Sequence, residues 1–483
     1  MALVTMADDA PPADQNANAQ PAEIPAATPA AAKREALPID LPTALRLADV
    51  GNPTINLARE REREAYFLLN EAEVAWLPNL QTGPAYVRHD GRLQDTSGVI
   101  LSTSKSNLFE GGGAVLTWDS STILFGPLIA RRLAEAQSAA SRAVTSDVQL
   151  DVALAYLDLV RVHAAMAINA DTLARAEEML KSAEAGDQAG KNKTPADITR
   201  ARSEVELRKV ERIELQGQAG IVSARIARLL LLDPTVDLRP AEPAVVPIAL
   251  VPANAPIEQL VDTGVMNRPE LAESRALVGA AQARYRQARL DPLIPKLQVS
   301  YFAGVFGGGI NDDMSKFGGR GDGLAQAVWE LHNLGAGDLA RTRVRGAQFN
   351  EANTHVVEVQ SQVAEEVTAA AKVVQARQDA LDSAQKAVKQ ALETWRRLSE
   401  SSFGLGGRDN RYDPLEPLLA EQALDQARLL YVKQVIEYNQ AQFRLYWAMG
   451  QPPLEALPKA VTQPVEVPVV PGKYTPPERP AKP

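Results

Sequence analysis

Apolar and small residues recur along two long stretches of this chain at alternating intervals of three and four. In the first they fall at Val152, Ala155, Leu159, Val162, Met166, Ala170 and Leu173. A period near 3.5 is the seam of one helix lying along another. Gly126-Pro127 opens the stretch, with proline where its missing N–H costs nothing. The pattern predicts a helix over 127–185, about 59 residues or about 90 Å of rod. A polar turn follows, carrying Gly186, Gly190 and Pro195, and a return helix is predicted over 196–231. Leu229 to Leu232 ends it and Asp233-Pro234 stops it. The second stretch has its seam at Leu381, Ala384, Val388, Ala391, Trp395 and Leu398, predicting a helix over 337–401. Its turn holds Gly404, Gly406 and Gly407, and its return helix, 415–449, closes at Met449-Gly450 before Pro452 and Pro453.

Each long helix is preceded by shorter elements in the same order. Breaks at Asn52-Pro53 and Arg268-Pro269 open helices that Leu77-Pro78 and Ile294-Pro295 close. Residues about 79–92, 108–119, 296–307 and 323–331 then read as strands, with polar loops at 94–107 and 308–321. The third strand alternates cleanly, placing Leu297, Val299, Tyr301, Ala303 and Val305 on one face. Landmarks keep their order between the copies: Thr117-Trp118 matches Val328-Trp329, and Thr194 to Asp197 matches Asp413 to Glu416. The reading is a tandem duplication, repeat 1 over 39–232 and repeat 2 over 257–450, joined by a proline-rich connector at 233–256. The fold class is mainly α with a small β part: two repeats of a long helical hairpin, plus two β-hairpins. In each repeat the two shorter helices together match the long one in length, so they are expected end to end along its flank. Four short strands leave two open edges, which favours closure with strands of other subunits. Alternating strands with Trp118 and Trp329 near two of their ends fit a membrane-spanning barrel with aromatics at its interface.

Composition narrows the function classes. Residues 1–38 are rich in Ala, Pro and Asn, 451–483 are rich in proline, and both are expected to lie outside any core. The net charge of −9 and the lack of a basic stripe argue against a nucleic-acid partner. With no cysteine there is no disulfide, thiolate metal site or lipid-modified N-terminal cysteine in the sequence. No run approaches the ~20 apolar residues of a membrane helix. The opening Met1 to Met6, followed by Asp8-Asp9, does not read as a signal peptide, which counts against export unless the true start lies upstream or the sequence is that of the processed chain. His89, His163, His332 and His355 are scattered, with no metal-ligand spacing. Gly186 to Lys191 is one residue short of a phosphate loop and lacks the following Ser/Thr. Asn311-Asp312-Asp313 reads as a solvated turn rather than a cation site. The chain is expected to be neither an enzyme nor a cofactor binder.

The doubled order of helix, proline break, helix, strand hairpin and long helical hairpin resembles the TolC-type outer-membrane efflux proteins, from about Leu37 to Pro453. The resemblance implies a homotrimer, a twelve-stranded barrel in outer-membrane lipid and a helical tube across the periplasm. It implies a passive exit duct for efflux or type I secretion, served by a periplasmic adaptor and an inner-membrane pump. The family's Gly-x-x-x-Thr-x-x-Asp-hydrophobic-x-x-Ala pattern is matched by Gly190, Thr194, Asp197, Ile198 and Ala201. Pro414, Glu416 and Ala420 stand at the equivalent second-copy positions. By that resemblance Gly190, Thr194, Pro195, Asp197, Gly406, Gly407, Pro414 and Glu416 form the adaptor-docking tip. The second turn is longer than the family's, and its Arg408, Asp409, Arg411, Tyr412 and Asp413 are candidates for gate salt bridges. A solvated charged turn is the alternative reading of that cluster. The rival for the whole chain is a non-channel coiled-coil scaffold, periplasmic or soluble, with its strands as a small cap.

Overall fold

The computed structural model describes residues 36–188, 195–242, 244–311, 313–403, 415–459 and 461–462. It is an elongated slab of helices carrying one four-stranded sheet. Strand β1 (Leu37–Ile39) leads into α1 (Leu41–Gly51) and α2 (Pro53–Val74), then β2 (Asn79–Gln94) and β3 (Ile100–Asp119). The long helix α3 (Ser120–Gln188) and its return α4 (Pro195–Leu230) follow. Short strands β4 (Leu238–Pro240) and β5 (Ile248–Ala249) lie in the connector. The order then restarts with α5 (Ile257–Asn267), α6 (Pro269–Leu290), β6 (Lys296–Ile310), β7 (Gly318–Val328), α7 (Ala336–Phe403) and α8 (Leu415–Ala448), and ends on β8 (Val461–Thr462).

Helices α3 and α7 have 69 and 68 residues, so each is a rod of about 100 Å. Between them lie α6, against both, and α8, also against both. On the other flank of α3 lie α2 and α4. Asn52 marks the joint where α2 meets α4. Its Oδ1 caps α2, accepting from Thr54 N at 2.8 Å and Ile55 N at 3.4 Å, while its Nδ2 donates to the Leu229 carbonyl at 2.8 Å. In the second copy Gly450, just past α8, meets the α5–α6 break. Its φ of +74° is left-handed, and a Cβ there would lie 2.5 Å from the Asn267 carbonyl carbon. Arg268 at that break pairs with Glu270 at 3.0 Å and Glu366 at 2.9 Å, its guanidinium 4.2 Å from the Trp447 ring centre.

The main core lies at mid-height, where Leu45, Val152, Leu159, Leu271, Val367, Phe443 and Leu445 are buried together. Of the first predicted seam, Val152, Ala155 and Leu159 are buried there, and Val162 is buried just beyond it. Below Val162 the buried face rotates to Ile168, Asn169, Thr172 and Leu173, leaving Ala170 exposed. The cause is chemical: at this level the rods are joined by polar groups, which hydrophobic periodicity does not register.

Several predicted boundaries move. Helix α3 begins at Ser120 and runs through Pro127, because Asp119 caps it, accepting from Thr122 N at 3.3 Å. Residues 100–107, expected in a loop, extend β3, paired from Gln94↔Ile100 onward. Ser and Thr in a strand with little burial carry no hydropathy signal. The fourth strand is Gly318–Val328, not 323–331, and Trp329 lies just past it. Its glycines pair with Tyr301 to Phe306, and the Tyr301 ring covers Gly321 and Gly323, its Oη 3.0 Å from where a Cβ at Gly321 would lie. Leu37 and Pro38, placed outside any core, belong to β1, which pairs in parallel with β4. In the proline-rich tail, a 3₁₀ turn at Pro453–Lys459 precedes β8, which pairs with β5. The connector thus binds a segment from each end of the chain.

Candidate functional site

The sheet is an antiparallel meander in the order β2-β3-β6-β7, with β2 and β7 as unpaired edges. The register assigns its two faces. Leu80, Leu116, Leu297, Val299, Tyr301 and Val305 share one face, and Leu80, Tyr301, Val305 and Val299 are exposed on it. Glu110, paired with Pro84 and Val305, interrupts that face. The other face is mixed: Gln81, Asn107, Gln298, Ser300, Asp322 and Gln326 share it with Phe109, Phe302, Phe306 and Leu324. The apolar face turns polar toward the β2–β3 hairpin, where Arg88 pairs with Asp90 at 2.6 Å. From Leu297 to Gly307 is ten steps along β6; at ~3.4 Å per residue and a tilt of ~40° these rise about 26 Å. A lipid-facing band is close to that height.

Aromatic side chains bracket the band. Gly307 is level with Leu108 and Tyr86 at the hairpin end. At the helical end, Leu297 is level with Trp118 and Ala327. Trp118 Nε1 donates to the Trp76 carbonyl at 2.9 Å, and Trp76 and Trp329 are both exposed. Sequence reasoning singled out Trp118 and Trp329 but missed Trp76, because it closes a helix rather than a strand.

The edges of the sheet and of the helical slab coincide. Edge strand β2 follows α2, and edge strand β7 precedes α7. Along the outer flank of α4, Leu207, Val210, Ile213 and Ile221 are exposed; on α2, Leu57 and Phe67 are. On α7, Leu339, Val344, Val357 and Val373 are exposed. Apolar residues on two opposite, non-equivalent sides suit a head-to-tail contact between copies of the chain.

Most residues proposed for the tip lie outside the described residues: Gly190, Thr194, Gly406, Gly407, Arg408, Asp409, Arg411, Tyr412, Asp413 and Pro414. Pro195 opens α4, Asp197 lies in the first turn of α4, and Glu416 lies in the first turn of α8. Two to three turns into α8 the structure reveals a buried ionic cluster that sequence reasoning missed. Thr172 donates to Asp425 at 2.8 Å, Arg428 pairs with Asp171 at 2.9 Å, and Arg175 also pairs with Asp171. Arg208 bridges Glu204 at 2.8 Å and Glu211 at 2.9 Å, and Gln422 donates to Glu204 at 3.1 Å. Arg175 lies 5.0 Å from the Trp395 ring centre of α7. Glu421 is 5 % exposed and its Oε1 accepts no hydrogen bond among the described residues. Burial, against the opposing pull of Arg175, pushes its carboxyl up to about 7, and Asp425 and Glu204 push the same way. Burial likewise raises Asp425. The spacing Glu421, Asp425, Arg428 on one helix face was the available signal; nothing in the sequence said that this face points inward.

No protein-family profile matches the sequence, and no curated protein does. Solved structures do match. The outer-membrane channel OprN aligns over 86% of this chain and 90% of its own, at 18% identity and TM-score 0.67. The outer-membrane protein VceC of Vibrio cholerae aligns over 85% and 96%, at 16% identity and TM-score 0.69. The chain has the TolC-like fold. The Neisseria gonorrhoeae MtrE outer-membrane channel, in its open state, aligns over 85% and 89%, at 17% identity and TM-score 0.67. In the TolC-like fold of this chain, no described helix is long and apolar enough to cross a membrane, and the described residues hold no cluster of three metal-ligating side chains.

Proposed function

We propose that three copies of this chain form a passive exit duct of the outer membrane, with the strands in lipid and the helices as a tube in the periplasm. The observation that carries this is the slab open along the same two sides from strands to helices, with an apolar outer face on its sheet. Head-to-tail contact of such edges closes a ring. Three copies is the number that the resemblance to TolC-type proteins implies, and strand arithmetic supports it over two. Eight strands about 4.8 Å apart and tilted about 40° enclose a circle about 16 Å across, which side chains fill; twelve enclose about 24 Å and leave a bore. A helical scaffold would leave the apolar face of the sheet in water, which the hydrophobic effect disfavours.

In this reading Trp118 and Trp329 sit at the membrane interface. The α3–α4 and α7–α8 turns form the tip, where Gly190, Thr194, Pro195, Asp197, Gly406, Gly407, Pro414 and Glu416 meet a periplasmic adaptor coupled to an inner-membrane pump. Arg408, Asp409, Arg411, Tyr412 and Asp413 are the gate candidates. Opening untwists the hairpins, and the buried cluster sets the resistance, since it ties α8 to α3 and α4. The pump supplies the energy; the duct needs no cofactor.

The test is envelope fractionation followed by detergent extraction and light scattering corrected for bound detergent. A detergent-requiring particle of three 52.0 kDa chains in the outer-membrane fraction is expected. A monomer or dimer that stays in solution without detergent overturns the proposal.

A further inference from the structure

The loop between β7 and α7 has no counterpart in the first copy, where Asp119 ends the strand and Ser120 starts the helix. Three consecutive residues of this loop are left-handed: Asn333 at φ +52°, Leu334 at +58° and Gly335 at +86°. Glycine adopts that region freely and asparagine tolerates it, but leucine rarely does. The conformation is clamped. The buried carboxylate of Asp338, in the first turn of α7, accepts from His332 N at 2.9 Å, and its other oxygen lies 3.0 Å from His332 Nδ1. Glu330 is held by Lys296 at 2.6 Å. What the clamp presents is an apolar side chain in the open: Leu334 is 99% exposed. Strain held by a buried carboxylate for the sake of one exposed leucine points to a partner for that leucine.

Alternation says which partner. On β7, Ala325 and Ala327 are level with Val299 and Leu297 and share their apolar face. Continuing by twos past the end of the strand gives Trp329 and Leu331, both exposed, while Glu330 and His332 fall on the opposite parity. The apolar row of the sheet therefore runs on to Leu331, beyond the last ladder pair at Val328 and near the level of Trp118 and Trp76, and the turn that carries Leu334 follows it directly. We propose that Trp329, Leu331 and Leu334 form a membrane-inserting loop that anchors the base of the barrel in the periplasmic leaflet, with phospholipid as its partner. The inference rests on the exit-duct reading, because it needs the sheet to stand in a bilayer. Tryptophan suits the headgroup level and leucine the acyl boundary just inside it. The clamp to Asp338 makes the anchor rigidly continuous with α7.

The native chain has no cysteine, so Leu334→Cys gives one attachment point for an environment-sensitive fluorophore. The full-length protein is reconstituted into phosphatidylethanolamine/phosphatidylglycerol vesicles, with Glu358→Cys, exposed on α7, as the control. The expected result is blue-shifted emission at position 334, quenching by lipids brominated just below the headgroup several-fold stronger than at position 358, and protection from iodide. Aqueous emission with full iodide access overturns the proposal. Protection from iodide without bromolipid quenching also overturns it, by placing Leu334 against a second copy of the chain. The exit-duct reading fails separately, if the unlabelled protein does not float with the vesicles. The second variant Asp338→Ala, which removes both oxygens of the clamp, is expected to weaken the bromolipid quenching at 334 while flotation persists; unchanged quenching would refute the role given to Asp338.

Discussion

Replacing Asn52 by alanine tests whether the joint between α2 and α4 is held by one side chain. Asn52 is 3 % exposed and satisfies both helix ends at once. Alanine removes the cap, worth about 1 kcal/mol. It also leaves the Leu229 carbonyl without its donor, worth a further 1–3 kcal/mol, roughly, for a buried acceptor. The expected loss is about 2–4 kcal/mol per chain, read from urea unfolding of the detergent-solubilised protein by far-ultraviolet circular dichroism. Asn52→Asp separates the two contributions. Its carboxylate still caps α2, but it meets the Leu229 carbonyl with a charge instead of an N–H. Burial and the facing carbonyl favour the protonated form, which donates as asparagine does, over the opposing pull of the two capping N–H groups. The aspartate variant is therefore expected to approach wild type at pH 4 and to lose stability as the pH rises. If Asn52→Ala falls within about 0.5 kcal/mol of wild type, the size of an ordinary surface change, the joint is held by packing alone and the reasoning is refuted.

Glu421 predicts a pH dependence with a definite sign. Its folded-state carboxyl lies near 7 and its ordinary value is 4.5. The neutral form is the one the fold accommodates, so its contribution is complete below about pH 4.5 and is lost as the pH rises through 7. Glu421→Gln is expected to flatten that fall and to exceed wild type above pH 7 by about 3 kcal/mol at most, from 1.36 kcal/mol per pKa unit. Parallel stability–pH profiles for the two proteins would contradict the assignment. Gly450→Ala is expected to cost about 1–3 kcal/mol, since the site is left-handed and closed by the Asn267 backbone. A melting temperature equal to wild type would show that the α5–α6 break moves freely away from α8.

Much of the helical architecture is legible in the sequence because long rods repeat one simple signal. Proline at Pro53 and Pro269, glycine at Gly450 and the apolar seam at Val152 to Val162 each act locally, and local chemistry decides where helices start and stop. The strands are less legible. Residues 100–107 and 318–322 are largely polar or glycine-rich, and what makes them strands is the register with Gln94 to Val87 and with Phe306 to Phe302. Pairing between distant segments leaves no trace in hydropathy. The cluster at Glu421, Asp425 and Arg428 was hidden for a related reason: charged residues on a helix read as solvated until the packing of α3 and α4 encloses them. The β1–β4 and β5–β8 pairs, only a few residues each, are set by where the chain ends meet the connector.

The central claim is that the β2 edge of one copy closes on the β7 edge of the next. Because the chain has no cysteine, engineered pairs report this without background. A panel combines Gln81, Ala85 or Val87→Cys on β2 with Asp322, Leu324 or Gln326→Cys on β7, all on the face of the sheet opposite Val299 and Tyr301. After oxidation in intact envelopes and denaturing electrophoresis, at least one pair is predicted to give bands of one, two and three chains and nothing larger, with the single-cysteine parents giving monomers. A ladder that continues beyond three, or no crosslinking by any pair, would contradict a closed three-fold duct.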